Sequence, residues 1–254
     1  MGNQEKHPIL KRILVFCVVT YLSIIVVVVM FQRRMIFFPS QEQSRTPYVS
    51  WEESGTRIGW KNVVESPKHI WLFLHGNKGN VLTRDYILGC IPKEDSLFAM
   101  EYPGYGIREG SPSKQSIDMA ADEAFSALRE KYHGIPIVVV GESIGSGPAC
   151  HLAKHANPPE KIILAVPFDN LASVAQDRLP LVPAKLVLVD KWDNVESLRG
   201  YKGKLEIYAA EDDKVIAVRH ARRLYKMYPD ATYHEIKDVQ HKLWWEKVGV
   251  LAAE

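Results

Sequence analysis

The sequence predicts an α/β protein: a mostly parallel central sheet with helices on both faces and a minimal cap, preceded by one transmembrane helix. Three observations carry this expectation. Apolar runs such as "HIWLFLHG", "IPIVVVGES" and "KIILAVP" alternate with helical stretches, the pattern of parallel strands buried on both faces. Residues 13–32 hold no charged side chain. A Gly-x-Ser-x-Gly, Gly141-Glu142-Ser143-Ile144-Gly145, stands where an apolar strand runs into a helix.

With 254 residues the chain has room for one domain with a sizeable core. A net charge of +2 gives no reason to expect a nucleic-acid partner. Cys17, Cys90 and Cys150 have neither metal-ligand spacing nor a disulfide framework, and all three read as small core residues.

Residues 13–32, "ILVFCVVTYLSIIVVVVMFQ", come first. At about 1.5 Å rise per residue they reach about 30 Å, the thickness of a bilayer's hydrocarbon core. A helix apolar on every side needs lipid, or a far larger protein, around it. The run is long for a signal peptide, and "QRRMIFFP" offers no small-residue cleavage site. The expectation is a single-pass membrane protein: tail 1–12, anchor 13–32, juxtamembrane linker 33–46 and one domain over 47–254. Lys6, Lys11, Arg12 and the terminal amine precede the span, while Arg33 and Arg34 follow it. That balance favours a cytoplasmic N-terminus with the domain on the far side. Met1-Gly2 is a poor myristoylation signal, because Lys6 holds the place of Ser or Thr.

"YVSWEES" and "TRIGW" read as an antiparallel pair at a sheet edge. The strand "HIWLFLHG" leads to a helix near Asn80, and "SLFAMEYPG" to a helix over about 113–132. "IPIVVVGES" leads to the helix after Ser143, and "KIILAVP" to an irregular segment. "KLEIYAAED" precedes a helix near 218–228, and "ATYHEIKD" the last helix.

In such sheets, active sites gather beyond the C-terminal ends of the strands. Ser143 sits there, in a turn so tight that 141 and 145 must be glycine for clearance. A serine nucleophile needs a base, and the elbow-type order Ser, acid, His leaves His220, His234 and His241. His220 falls in a predicted helix and His234 in a strand, whereas His241 follows the last strand. For the acid, "YAAEDDKVI" offers Glu211, Asp212 and Asp213. A position two residues before an apolar pair selects Asp213, ahead of Val215-Ile216; Asp212 and Asp169 stay open as alternatives. The oxyanion donors expected are the backbone N–H groups of Ile144 and of Asn77, in "HGNKGN". Losing one such donor typically costs about 3 kcal/mol of transition-state stabilisation. His75 reads as a loop-bracing residue. No metal or organic cofactor is implied, because a serine mechanism needs none.

At these residues the sequence resembles the α/β-hydrolase superfamily, and within it a small-cap, often membrane-anchored branch filed with the serine aminopeptidase-like hydrolases. Depalmitoylating thioesterases belong to related branches. The resemblance runs from "QRRMIFFPS" to the final helix through "FLHGNKGN", "EYPGYG", "GESIGSGPA", "VPF" and "DKVI". It implies the α/β-hydrolase fold, with Ser143 as nucleophile, Asp213 as acid, His241 as base, and the Asn77 and Ile144 amides as oxyanion hole. The sequence departs from the family pattern at Lys78, where a small residue is common. It departs again at "AAEDD" and "DVQH", where a glycine usually approaches the acid and the histidine.

The cap should fall within about 168–203, enough for a helix or two. Within it "LPLVPAKLVLV" reads as core in preference to the lining of an acyl groove. Trp244, Val248 and Leu251 share helical spacing and should pack inward, which leaves Trp245 facing solvent, the site mouth or the membrane. The expected function is a membrane-tethered serine esterase or thioesterase acting on a lipid, acyl or small-molecule ester. Two alternatives stand beside it. A serine aminopeptidase would want an acidic pocket, with Glu101 or Glu142 as candidates. A non-catalytic interaction module would keep the fold without turnover. Oligomeric state is not legible.

Overall fold

The computed structural model describes residues 6–42, 47–53 and 55–253. The start of the expected tail, with its myristoylation signal and terminal amine, lies outside the described residues, as do 43–46 of the expected linker and the last residue of "YVSWEES". The first helix, α1 (Lys6–Ile36), runs beyond the charge-free stretch at both ends. Its segment Pro8–Ile36 is long and apolar enough to cross a membrane. Residues 8–24 are exposed all round, so Cys17 is an exposed side chain on α1 and not a core residue, while Cys90 and Cys150 are buried.

Among the described residues, ten strands follow in chain order: β1 (Phe38–Pro39), β2 (Val49–Glu53), β3 (Thr56–Asn62), β4 (Ile70–Leu74), β5 (Lys78–Gly79), β6 (Ser96–Met100), β7 (Ile137–Glu142), β8 (Lys161–Ala165), β9 (Lys204–Ala210) and β10 (Thr232–Ile236). Eight of them form one sheet in the order β2-β3-β6-β4-β7-β8-β9-β10. The β2–β3 and β3–β6 pairs are antiparallel and the rest parallel, so β2 is the edge strand that the sequence placed there. The short β1 and β5 pair in parallel beside it, Phe38 with Lys78 and Pro39 with Gly79.

Every residue of β4, β6, β7 and β8 is buried, which explains their continuous apolar runs. Side chains alternate between faces. On β4, Ile70, Leu72 and Leu74 enter one core, and Trp71 and Phe73 the other. Burying each such side chain contributes on the order of 1.5–3 kcal/mol. Beside the first core lie Ile117 and Phe125 of the long helix over Lys114–Lys131, and Ile87 of the short helix over Tyr86–Cys90 lies in the second. Ser113 caps the long helix, its hydroxyl accepting the Ser116 N–H. Three short helices, Leu171–Arg178, Ala184–Val187 and Asn194–Ser197, make up the cap between β8 and β9. The expected last helix is a 3-10 segment, His241–Lys247, and Gly249 at φ +70° turns the chain two residues later.

Candidate active site

Ser143 follows β7 directly, with φ +55°, a left-handed conformation that costs a non-glycine residue on the order of 1–3 kcal/mol. Its glycine neighbours are required. A Cβ at 145 would run into the Leu74 and His75 carbonyl oxygens, and one at 141 would meet Ala149 Cβ and the Gly145 oxygen, each at 2.6 Å. The turn is pinned from the cap side. Ser146 Oγ donates to the Ser143 carbonyl at 2.7 Å and accepts from Asn194 Nδ2 at 3.0 Å, and Asn194 also donates to the Phe168 carbonyl.

His241 Nε2 lies 2.8 Å from Ser143 Oγ, and its Nδ1 lies 2.6 Å from Asp213 Oδ2. The other Asp213 oxygen accepts the N–H groups of Val215 and Ile216, both at 2.7 Å. The carboxylate is thus held by the apolar pair that follows it. With Nδ1 protonated toward Asp213, Nε2 is left as acceptor for the serine hydroxyl. The approach to His241 lacks a glycine because Asp238 takes the left-handed turn itself, at φ +55°, a conformation that aspartate tolerates.

The two alternative acids are elsewhere. Asp212 is exposed. Asp169 pairs with the buried His220, 2.6 Å from its Nδ1, and Asp177 lies 2.7 Å from the other ring nitrogen. Burial alone would raise the Asp169 carboxyl, but the His220 hydrogen bond and charge, with Arg223, hold it below the usual range. This cluster locks α-helix Arg219–Met227 onto the loop after β8, and nothing in the local sequence announced it.

Asn77, Ser143 and Ile144 line one cavity of about 410 Å³, within the range of small-molecule sites. The cap segment expected to be core is so only in part: Val182, Ala184 and Leu188 are buried, Leu181 and Leu186 are exposed, and Leu179, Val182, Val187 and Leu188 line this cavity. Three short helices cannot cover both sides of an eleven-residue apolar stretch, so part of it faces the cavity and part faces outward. Val28, Gln32, Met35 and Ile36 of α1 line the same cavity. No sequence signal pointed to α1 as part of the site.

The carboxylates considered for binding an amine are already committed. Glu101 is buried, accepts the Val81 N–H and lies 3.2 Å from His75 Nε2. His75 Nδ1 bonds the Gly76 carbonyl at 2.7 Å, so this histidine braces the loop that carries Asn77. Glu142 bonds Tyr86 Oη, and its Oε1 lies 3.4 Å from Arg84 Nε. Arg84 reaches on to the Lys78 carbonyl at 2.5 Å, tying the elbow to the Asn77 loop, while the Lys78 side chain itself is exposed. Burial, and then the Glu142 carboxylate, push the Tyr86 phenol well above its ordinary range, so it stays a donor. Trp244 packs inward, and Trp245, half-buried, stacks on Tyr86 at 4.9 Å. Among the described residues, no group of three His, Cys, Asp or Glu is placed to hold a metal ion.

The parallel sheet, the strained serine after its central strand, and an acid and a histidine after later strands define an α/β-hydrolase fold. An α/β-hydrolase from Vibrio vulnificus superposes with a TM-score of 0.62 at 18% identity, over 78% of this chain and 76% of that one. In sequence, the lysophosphatidylserine lipase ABHD12 of Xenopus tropicalis is 27% identical over 207 residues, 71% of this chain and 53% of that protein. An uncharacterised protein of Mycobacterium tuberculosis is 27% identical over 213 residues, 76% of this chain and 74% of its own length. The chain spans about half the length of the ABHD12 relatives it matches. No protein-family model matches it.

Proposed function

We propose that this chain is a membrane-anchored serine hydrolase that cleaves carboxylic ester or thioester bonds through an acyl-enzyme. The observation that carries the reading is the line of hydrogen bonds from Asp213 through His241 to Ser143, ending in an apolar cavity. Ser143 Oγ attacks the carbonyl carbon as its proton passes to His241 Nε2, and the carbonyl π pair moves onto oxygen. The Asn77 and Ile144 N–H groups receive that oxyanion. Collapse expels the alcohol or thiol, which takes the proton from Nε2 and leaves an acyl ester on Ser143. Water, deprotonated by the same nitrogen, then attacks the acyl carbon; collapse returns the proton to Oγ and releases the acid.

The cavity lining suits an acyl chain, and the ABHD12 relatives, described as lysophosphatidylserine lipases, support a lipid ester. In this reading α1 is the anchor, and its flanking charges set the N-terminus in the cytoplasm. Labelling with a fluorophosphonate probe tests the reading. Wild-type protein should label, Ser143→Ala should not, and His241→Ala and Asp213→Asn should label far more slowly. A folded wild type that does not label would sink the enzyme reading in favour of a non-catalytic module.

A further inference from the structure

The C-terminal half of α1 does not stand clear of the domain. Ile25, Val28, Val29, Gln32 and Ile36 are less exposed than their neighbours and form one stripe at helical spacing. Tyr21 Oη donates to the Leu181 carbonyl at 2.8 Å, and Gln32 Oε1 accepts the Val189 N–H at 2.7 Å. Arg33 Nε donates to Asp190 at 2.8 Å. The cap therefore lies along α1 from Tyr21 to Arg33, about 18 Å at 1.5 Å per residue. Gln32 is the polar residue of an apolar stripe. Burying its amide would be unfavourable without those bonds to the cap, so they fix where α1 sits.

The cavity that holds Ser143 follows this seam. Ile36 lies at its Asn77 end, joined by the Asn77 side chain, and Val28 lies eight residues back, about 12 Å further along the helix. That direction leads into the apolar span. On the cap beside it, Leu181 is 82%, Leu186 80% and Val189 62% exposed, a surface unfavourable in water and neutral in hydrocarbon.

We propose that α1 is one wall of the acyl-binding site, and that the substrate is an ester whose long acyl chain enters sideways from the bilayer, between α1 and the cap. This rests on the serine-hydrolase reading and adds the substrate class and its route. Val28, Met35 and Ile36 become specificity-determining residues. The anchor then does more than tether the enzyme, because without it the acyl cavity lacks a side.

The test uses full-length protein in phosphatidylcholine vesicles. The probe is a hexadecyl fluorophosphonate carrying a diazirine at the chain end. After the probe has labelled the serine, irradiation should cross-link it to peptides covering 25–36 of α1 or 171–188 of the cap, with α1 represented. Labelling without any α1 cross-link overturns the inference and leaves the hydrolase reading standing. No labelling of wild type overturns both. As a second measurement, Val28→Trp should lower the ratio of kcat/KM for p-nitrophenyl palmitate over p-nitrophenyl acetate by about tenfold or more. Val18→Trp, on the same helix away from the cavity, should leave that ratio unchanged. An unaltered ratio in Val28→Trp that still turns over acetate would also overturn the proposal, pointing to small soluble esters.

Discussion

The Asn77 side-chain amide donates to the Ile36 carbonyl at 2.9 Å, joining the last turn of α1 to the loop after β4. The Asn77 carbonyl accepts from Phe38 N–H at 3.0 Å and from Tyr105 Oη at 2.7 Å. The residue proposed to donate to the oxyanion is therefore held by the segment that leaves the anchor. Asn77→Ala removes the side-chain tie and keeps the backbone N–H. It should lower thermal stability by about 0.5–1.5 kcal/mol, the net contribution of a part-buried hydrogen bond. It should also reduce kcat about tenfold more than it changes KM for a short ester, because the loop is no longer set for the transition state. Steady-state kinetics beside a melting curve separate the two; an unchanged kcat would mean the tie is structural alone.

Asp213 and its neighbours should part sharply. Asp213→Asn keeps a side chain that can accept from Val215 and Ile216 but holds the wrong His241 tautomer, and kcat should fall by about 10⁴. Asp212→Asn, at an exposed position, should stay within about twofold of wild type. Asp169→Asn should lower the melting temperature and not abolish labelling, since it frees one side of the buried His220. Loss of labelling in either of the last two would reassign the acid.

Gly145→Ala offers a stability test of the elbow. The added methyl would meet backbone carbonyls of Leu74 and His75, which cannot swing aside as a flexible side chain does. A loss of about 1–3 kcal/mol or more is expected, read from chemical denaturation. A melting curve like that of wild type would mean that β4 and the elbow pack more loosely than this geometry requires.

Acid should weaken the sheet at β9. Glu206 lies 2.7 Å from Lys161 Nζ, accepts from Tyr208 Oη at 2.6 Å and lies 2.8 Å from His234 Nε2. Burial by itself raises its carboxyl, but Lys161, Tyr208 and His234 leave it below its ordinary 4.5. A folded pKa below the unfolded one contributes stability that is fully present above about pH 4.5 and is lost as pH falls through the folded value. Glu206→Gln should therefore destabilise the protein at neutral pH and flatten the acid side of its stability profile. Melting curves from pH 7 down to about 3 read both effects. A parallel shift at every pH would argue against the linkage.

The sequence alone determined the eight strands of the main sheet and the positions of the candidate site residues after them, while the two-residue β1 and β5 fell unannounced in the expected linker and in "HGNKGN". Strands buried on both faces must be apolar throughout, so β4, β7 and β8 announced themselves as continuous runs; Ser143 follows β7 directly, while Asp213 and His241 lie in the loops just after β9 and β10. Gly141 and Gly145 were legible because a turn that tight leaves no room for a Cβ. Tertiary structure decided what depends on elements distant in the chain. Asp213 rather than Asp169 faces His241 because the His220 cluster captures Asp169. The apolar cap segment is divided between buried side chains, a cavity wall and an exposed edge, because one side of it lies along α1 and the other has nothing over it among the described residues. Above all, periodicity marks α1 as uniformly apolar and says nothing of which side meets the domain; the hydrogen bonds of Gln32 and Asn77, to partners 157 and 41 residues away, turn it into a wall of the site.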